Sequence, residues 1–369
     1  MAYLQQLLTT IKGIPLNVLV AFTVCIPIIL LANSEAISTV ESGYFQPLPS
    51  SNKNPLVQVH DIPEASGTFT VPKTKIQWSS IIDMASISSQ SLGSSTRNSN
   101  QTHESLLLDG ETYRTAIRIR YGLSDQSDLS MTIPLIAHAG GFADSAISSW
   151  HDTFGLPNES RAIRPTNALD YRYQRNGENI LAFNQSTEGL GDIRLDYRHR
   201  ISNSDERRDK NRINRLIQVS AKLPTGSQNR LTGSGATTLS SSLQLGQLQM
   251  ANTENWSWHA SVGVLWISGG GLLSEINKQW AAYGSGGLNW QATNDIAIKI
   301  QLESHTAIYD SNTDELGHTA GQLAIGLSAK VNPNTVVDIY FTEDIVLNSS
   351  PDIGIGLAIH RYIEGRSKH

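Results

Sequence analysis

Apolar and polar residues alternate with a period of two along most of the chain from residue 74 onward, the signature of strands with one wet and one dry face. The run Asp295–His305 shows it most clearly: Ile296, Ile298, Ile300 and Leu302 share one side, and Ala297, Lys299, Gln301 and Glu303 the other. Read in this way, the sequence predicts twelve wall strands at about 74–88, 105–123, 127–138, 189–201, 213–223, 237–249, 256–268, 279–291, 294–307, 318–331, 334–345 and 352–363. Short connections, as at Ser124–Gln126 and Asn332–Asn334, alternate with long ones at 89–104, 139–188, 224–236, 269–278, 308–317 and 346–351. Two loop classes in alternation are expected when one end of a bacterial barrel faces the periplasm and the other the exterior. The fold expected is therefore all-β, a transmembrane antiparallel barrel of about 12 strands over residues 74–363. Trp256, Trp258 and Trp290 fall near short-turn ends, and Trp266 and Trp280 near long-loop ends, as two interfacial girdles require. A soluble β-sandwich would place its tryptophans in a core and would not need two loop classes.

One stretch breaks the period. Between Pro134 and Tyr171, apolar residues fall at Ala143, Ile147, Trp150 and Phe154, spacings that share one helical face. Asp144 is the expected N-cap, Gly155 the stop, and Pro157 bars continuation, giving one short helix in a long extracellular loop. Its apolar face must dock somewhere. Folded back over the opening, it would constrict the external mouth, with Ile147, Trp150, His151, Asp152 and Phe154 as mouth candidates; a staple between loops is the alternative. The same excursion carries DYRYQRNGENILAF, an expected extra hairpin. Residues 35–73 (PLPSSNKNPLVQVHDIPEA at their centre) show no sustained period and form an extended N-terminal segment, either periplasmic or a plug in the barrel, with the periplasmic placement preferred.

The first residues change the picture further. An apolar run over 14–31 follows a segment whose one charge is Lys12, and Ala32 and Ser34 offer small residues for cleavage before Glu35. Residues 1–34 are thus expected to be a signal peptide rather than a retained anchor. Cys25, the only cysteine, lies inside that run, so the mature chain has no thiol chemistry. The formal charge of −5 leaves no basic excess for nucleic acid. An exported barrel would sit in the bacterial outer membrane among lipid and lipopolysaccharide, inserted by the barrel-assembly machinery, with residues 364–369 as a tail.

The segment MTIPLIAHAGGFADSAISSWHDTFGLP, the approach RTAIRIRYGLSDQSDLSMTIPL, the strand start GLGDIRLDYR and the ending KLPTGS together resemble an uncharacterised family of Gram-negative outer-membrane barrels, a domain of unknown function. YGLSD, GLGD and LPTG are also distantly similar to MetA-type transporters of phenol-degradation operons. The resemblance covers nearly the whole mature chain. It implies a fold and a location, and no mechanism.

If the apolar parity faces lipid, the other parity lists the lumen. Arg114, Arg118, Arg120, Asp192, Arg194, Asp196, Arg198, Lys222, Lys299 and Glu303 fall on it, joined by Arg200, His259, His305, Lys330 and Asp338. Charges on a wall strand cost several kcal/mol toward lipid, so they belong inside. They would either line a selective pore or fill the barrel as a mutually satisfied ion-pair network, and their interleaved signs favour the network. Enzymatic signatures are absent: there is no G-x-S-x-G elbow, Walker loop or HExxH, and His103-Glu104 lacks a second histidine. His151-Asp152 beside Ser148 or Ser149 is not a preassembled triad, because neighbours on a helix diverge. Asp310, Asn312 and Asp314 begin a calcium-loop spacing, but Glu315 replaces its glycine. No catalytic set, metal or cofactor is expected. The function expected is passage of a small solute through a passive channel or transporter, with a closed structural or surface-binding barrel as the alternative and a hydrolase behind both.

Overall fold

The computed structural model describes residues 46–97, 100–155, 164–201, 213–248, 250, 255–346 and 349–363. The expected signal peptide at 1–34, residues 202–212 and the expected tail at 364–369 lie outside them. Fifteen strands are present: β1 (Ile76–Arg97), β2 (Asn100–Gly122), β3 (Ser127–Ala139), β4 (Asp170–Arg175), β5 (Glu178–Phe183), β6 (Thr187–Leu190), β7 (Ile193–Arg200), β8 (Asn214–Leu223), β9 (Thr238–Gln247), β10 (Trp256–Ile267), β11 (Trp280–Gln291), β12 (Ile296–His305), β13 (Ala320–Asn332), β14 (Thr335–Asp344) and β15 (Ile353–Ile363). Among the described residues three α-helices accompany them: α1 (Pro55–Gln58), α2 (Asp144–Phe154) and α3 (Asp314–Gly317).

Twelve strands close into a ring, β1-β2-β3-β7-β8-β9-β10-β11-β12-β13-β14-β15, every neighbour antiparallel. The seam pairs β1 with β15 from Ile76↔Ile363 to Ser86↔Ile353. β6 continues the β7 line, and both pair with β3. Alternation sets the faces. Met131, Tyr197, Val219, Val264, Leu302, Leu327, Ile339 and Ile355 are exposed on the outer wall, while their neighbours Thr132, Arg198, Ser220, Gln301, Ser328 and Asp338 are buried inside. Trp256 stacks on Trp290 at the short-turn end, and Trp266 pairs with Trp280 at the other. Ten residues separate Trp256 from Trp266 along β10. At roughly 3.3 Å per residue and a tilt of about 40°, that places the girdles roughly 25 Å apart, the height of a membrane band.

One expectation needs correction. Residues 89–104 do not form a loop: β1 and β2 run on as one long hairpin in register to Arg97↔Asn100. The stretch reads as loop because it is rich in Ser, Thr and Asn. A sheet that projects beyond the membrane band has no lipid-facing side to keep apolar. The expected hairpin at 170–183 is present as β4 and β5, and β4 pairs with this projecting part of β2, Glu104↔Arg175 through Asp109↔Asp170.

Of the two placements left open for the N-terminal segment, residues 46–73 take the plug: they lie in the lumen. One arm rises along the inside of β12. Lys299 Nζ donates to Gln46 O (2.6 Å), Leu48 N to Gln301 Oε1 (3.1 Å), and Ser50 Oγ to Glu303; Asn52 Nδ2 meets His305 Nε2 (2.9 Å). Each step of two on the arm meets a step of two on the wall, so the lumen parity of β12 reads the segment residue by residue. The chain turns at α1, capped by the Asn54 side chain on Leu56 N (3.0 Å), and descends through Asp61, Glu64 and Phe69 to Val71. Val71 N donates to Asp128 Oδ2 (2.8 Å) before β1 begins.

Candidate functional site: the filled lumen

The lumen candidates Arg114, Arg118, Arg120, Asp192, Arg194, Asp196, Arg198, Lys222, Lys299 and Glu303 are buried or half-buried against the lumen segment or one another. Glu64 Oε2 accepts from Arg118 Nη2 (2.6 Å) and Arg194 Nη2 (2.9 Å). Arg194 also reaches Asp61 Oδ2 (3.1 Å) and Asp196 Oδ1 (3.0 Å). Burial alone would push the Glu64 carboxyl up. The guanidinium groups of Arg118 and Arg194, with Arg114 and Lys53 behind them, outweigh that and hold it well below the usual carboxylate range. Closer to the short-turn end, Asp128 receives Arg120 Nη2 (3.0 Å) and Arg198 Nη2 (2.6 Å), and both arginines also donate to Phe69 O. Arg114 lies 3.6 Å from Asp83, whose other partners are Lys53 and Tyr340. Lys299 pairs with Asp338 (3.5 Å), which His360 also contacts. Glu303 takes Ser50, Gln301 and Gln322.

Lys222 ties three parts together. Its Nζ donates to Asp192 on the wall, to Val59 O on the lumen segment (3.0 Å), and to Ser234 Oγ (2.6 Å) and Ala236 O (2.9 Å) on the following loop. Above it, the long-loop end is shut by an apolar cluster. Leu56, Val57 and Val59 from the lumen segment meet Tyr171 and Tyr173 of β4, Leu231, Leu273, Ile276 and Ile308 from three loops, and Leu106, Leu108 and Leu265 from the wall. His60 Nε2 donates to the Tyr309 hydroxyl (2.9 Å), which in turn donates to Leu56 O (2.6 Å). Burial, with Lys222 nearby, lowers the His60 pKa to about 3, so the ring is neutral. Within this filling, cavities of about 40 and 50 Å³ both border Glu64 and Ala65.

The helix α2 is not over the mouth. Asp83 and Tyr340 point inward, so their neighbours Met84 and Phe341 point out, and Ile147 and Ala143 pack against Met84, Phe341 and Ile353. Trp150 lies 5.5 Å from the Phe341 ring and His151 3.9 Å from Glu343, both outer-wall residues. Asp152 is exposed, and the Phe154 side chain lies outside the described residues. The expected apolar face does dock, but against the outside of the wall, so the mouth assignment is corrected. The expected N-cap is corrected too. Ala143 holds that position without a side-chain bond. Glu111 on β2 supplies the cap instead, its Oε1 accepting Phe142 N (2.9 Å) and Ala143 N (2.7 Å), while Asp144 accepts Asn167 N. Gly155 ends the helix with φ 69°, as expected. Ser149 Oγ donates to Ser145 O (2.9 Å). Glu104 Oε2 accepts from Ser311 Oγ (2.8 Å) and Asn312 N (2.7 Å), and no metal-type cluster occurs among the described residues.

Sequence reasoning missed the partners rather than the wall. Asp61 and Glu64 lie in an aperiodic stretch, and alternation has nothing to say there. The available signal was the surplus of arginine over acid on the lumen parity of β2 and β7, which required counter-charges from elsewhere.

The chain belongs to the family described as "Protein of unknown function (DUF3187)", whose model matches residues 21–362. No curated protein matches it. Among solved structures it is similar to the COG4313 outer membrane channel from Pseudomonas putida F1, at 10% identity over 80% of this chain and 98% of that one, with a TM-score of 0.48. The NanC porin gives 9% identity over 78% and 100%, with a TM-score of 0.40. The P. putida toluene transporter TodX gives 11% over 92% and 100%, with a TM-score of 0.36. These likenesses are too distant to transfer a role.

Proposed function

For this member of the family, we propose a channel of the bacterial outer membrane that passes a small solute and is shut at rest by its own N-terminal segment. One observation carries the reading. The twelve-stranded ring closes through β1 and β15 without the lumen segment, which joins no sheet. A wall that is complete without its filling can lose that filling and remain a wall. A permanently open passive pore does not suit cavities of about 40 and 50 Å³, which hold only a few waters. The test is conductance in planar bilayers. The full mature chain should be silent, and a barrel lacking residues 46–66 should show discrete steps.

A second reading, a closed structural barrel, draws on the apolar cluster. Tyr171, Leu231, Leu273 and Ile308 come from β4 and the loops, so they would still cap the barrel after the segment left. A folded deletion variant without conductance would favour that reading. No catalytic role is part of either.

A further inference from the structure

Resting on the channel reading, we infer that the seat filled by the Glu64 carboxylate is an anion site, a two-arginine clamp that takes the carboxylate of a small organic acid in place of Glu64 and so couples solute binding to release of the segment. The clamp comes from two strands, Arg118 on β2 and Arg194 on β7, converging on one carboxylate oxygen at 2.6 and 2.9 Å. Each arm has a hold that does not depend on Glu64. Arg118 Nε donates to Thr132 Oγ1 (3.1 Å). Arg194 Nε lies 3.0 Å from Asp196, which Ser130 Oγ steadies at 2.7 Å. The clamp therefore persists when its present occupant leaves.

Charge balance gives the ligand its sign. The segment brings Asp61 and Glu64 to this level, and without them Asp196 is the wall carboxylate left beside Arg118 and Arg194. Two guanidinium groups of weak hydration match the geometry of a carboxylate better than that of chloride. Space gives the ligand its place: the cavities of about 40 and 50 Å³ both border Glu64 and Ala65, so the seat already borders two voids. Arg118 and Arg194 line the void of about 50 Å³, so the carboxylate end of a small acid entering there meets the clamp from the side and competes with an internal carboxylate for the same donors.

The experiment compares sodium succinate with sodium chloride at equal ionic strength on the full mature chain in planar bilayers. Succinate is expected to raise the open probability at least about tenfold over chloride, the scale of one charge-assisted hydrogen bond. Glu64→Gln should open without succinate. Arg118→Lys keeps the charge but loses the fork, and should raise the half-effective succinate concentration about tenfold. Succinate no different from chloride, while the barrel lacking residues 46–66 conducts, overturns the clamp and leaves the channel standing. Calorimetry of succinate on that deletion barrel tests the clamp even if it proves silent. Saturable heat weakened by Arg118→Lys supports the site, and no heat overturns it.

Discussion

Lys222→Met tests whether the lumen is held by a knot or merely filled. Met conserves most of the volume and removes the charge, so the effect reads electrostatics rather than a cavity. Lys222 is almost wholly buried and donates to one carboxylate, two carbonyls and one hydroxyl, from the link between β6 and β7, the lumen segment and the loop after β8. The loss has two parts. Three hydrogen bonds to neutral acceptors contribute about 0.5–1.5 kcal/mol each net, and an unpaired buried partner charge costs about 3–5 kcal/mol by itself. Asp192 would not be wholly stranded, because Gly226 N (2.8 Å) and Ser234 N (3.1 Å) still donate to it. The expected destabilisation is therefore about 5 kcal/mol, toward the lower end of the combined range. Lys222→Met with Asp192→Asn should be less damaging than Lys222→Met alone, with a coupling energy of about 2 kcal/mol or more. Urea unfolding in lipid vesicles, followed by tryptophan fluorescence, gives the midpoints, and an unchanged slope keeps the comparison valid. A Lys222→Met barrel within about 1 kcal/mol of wild type would refute the knot, since that is the ordinary cost of an undistinguished substitution.

The other predictions are narrower. The folded chain protonates His60 only near pH 3, against 6.5 for the free side chain, so stability from this group is full above 6.5 and falls as pH drops toward 3. The slope is about 1.4 kcal/mol per pH unit, and His60→Gln should flatten it in unfolding curves taken between pH 6.5 and 4. Ile147→Ala should cost about 1–3 kcal/mol of helix docking and expose residues 140–155 to protease, yet leave the conductance of the barrel lacking 46–66 unchanged; a changed conductance would return α2 to the mouth. Gly141 has φ 76° and a Cβ there would meet the Glu111 carboxylate. Gly141→Ala should therefore loosen α2, read as faster proteolysis of the same loop with the wall intact.

Alternation made the wall legible because lipid imposes it. Ile300 and Leu302 must face hydrocarbon and Lys299 and Glu303 must not, so strand, face and register follow from the residues alone. The same rule failed at 89–104, where both faces of the β1–β2 hairpin escape lipid and nothing enforces a period. It also failed to place α2. The spacing of Ala143, Ile147 and Trp150 shows that one helical face is dry, but not what dries it. The answer is Met84, Phe341 and Ile353, outward residues of three strands far away in sequence.

The lumen segment was hidden for a different reason. Inside a barrel a chain need not repeat, since its contacts come from surrounding strands rather than from one flat neighbour. Its rising arm borrows a period of two from β12, but the match is between Leu48 and Gln301 or Ser50 and Glu303, pairs with no shared hydropathy to display. Its descending arm answers charges with Asp61 and Glu64. The wall nonetheless carried half of the message. Arg118 and Arg120 on β2, with Arg194 and Arg198 on β7, exceed the acids near them, and a buried cation without a partner is too costly to keep. An unbalanced lumen parity in a barrel sequence is therefore itself evidence of an occupant, and its sign tells which charge that occupant, chain or solute, must bring.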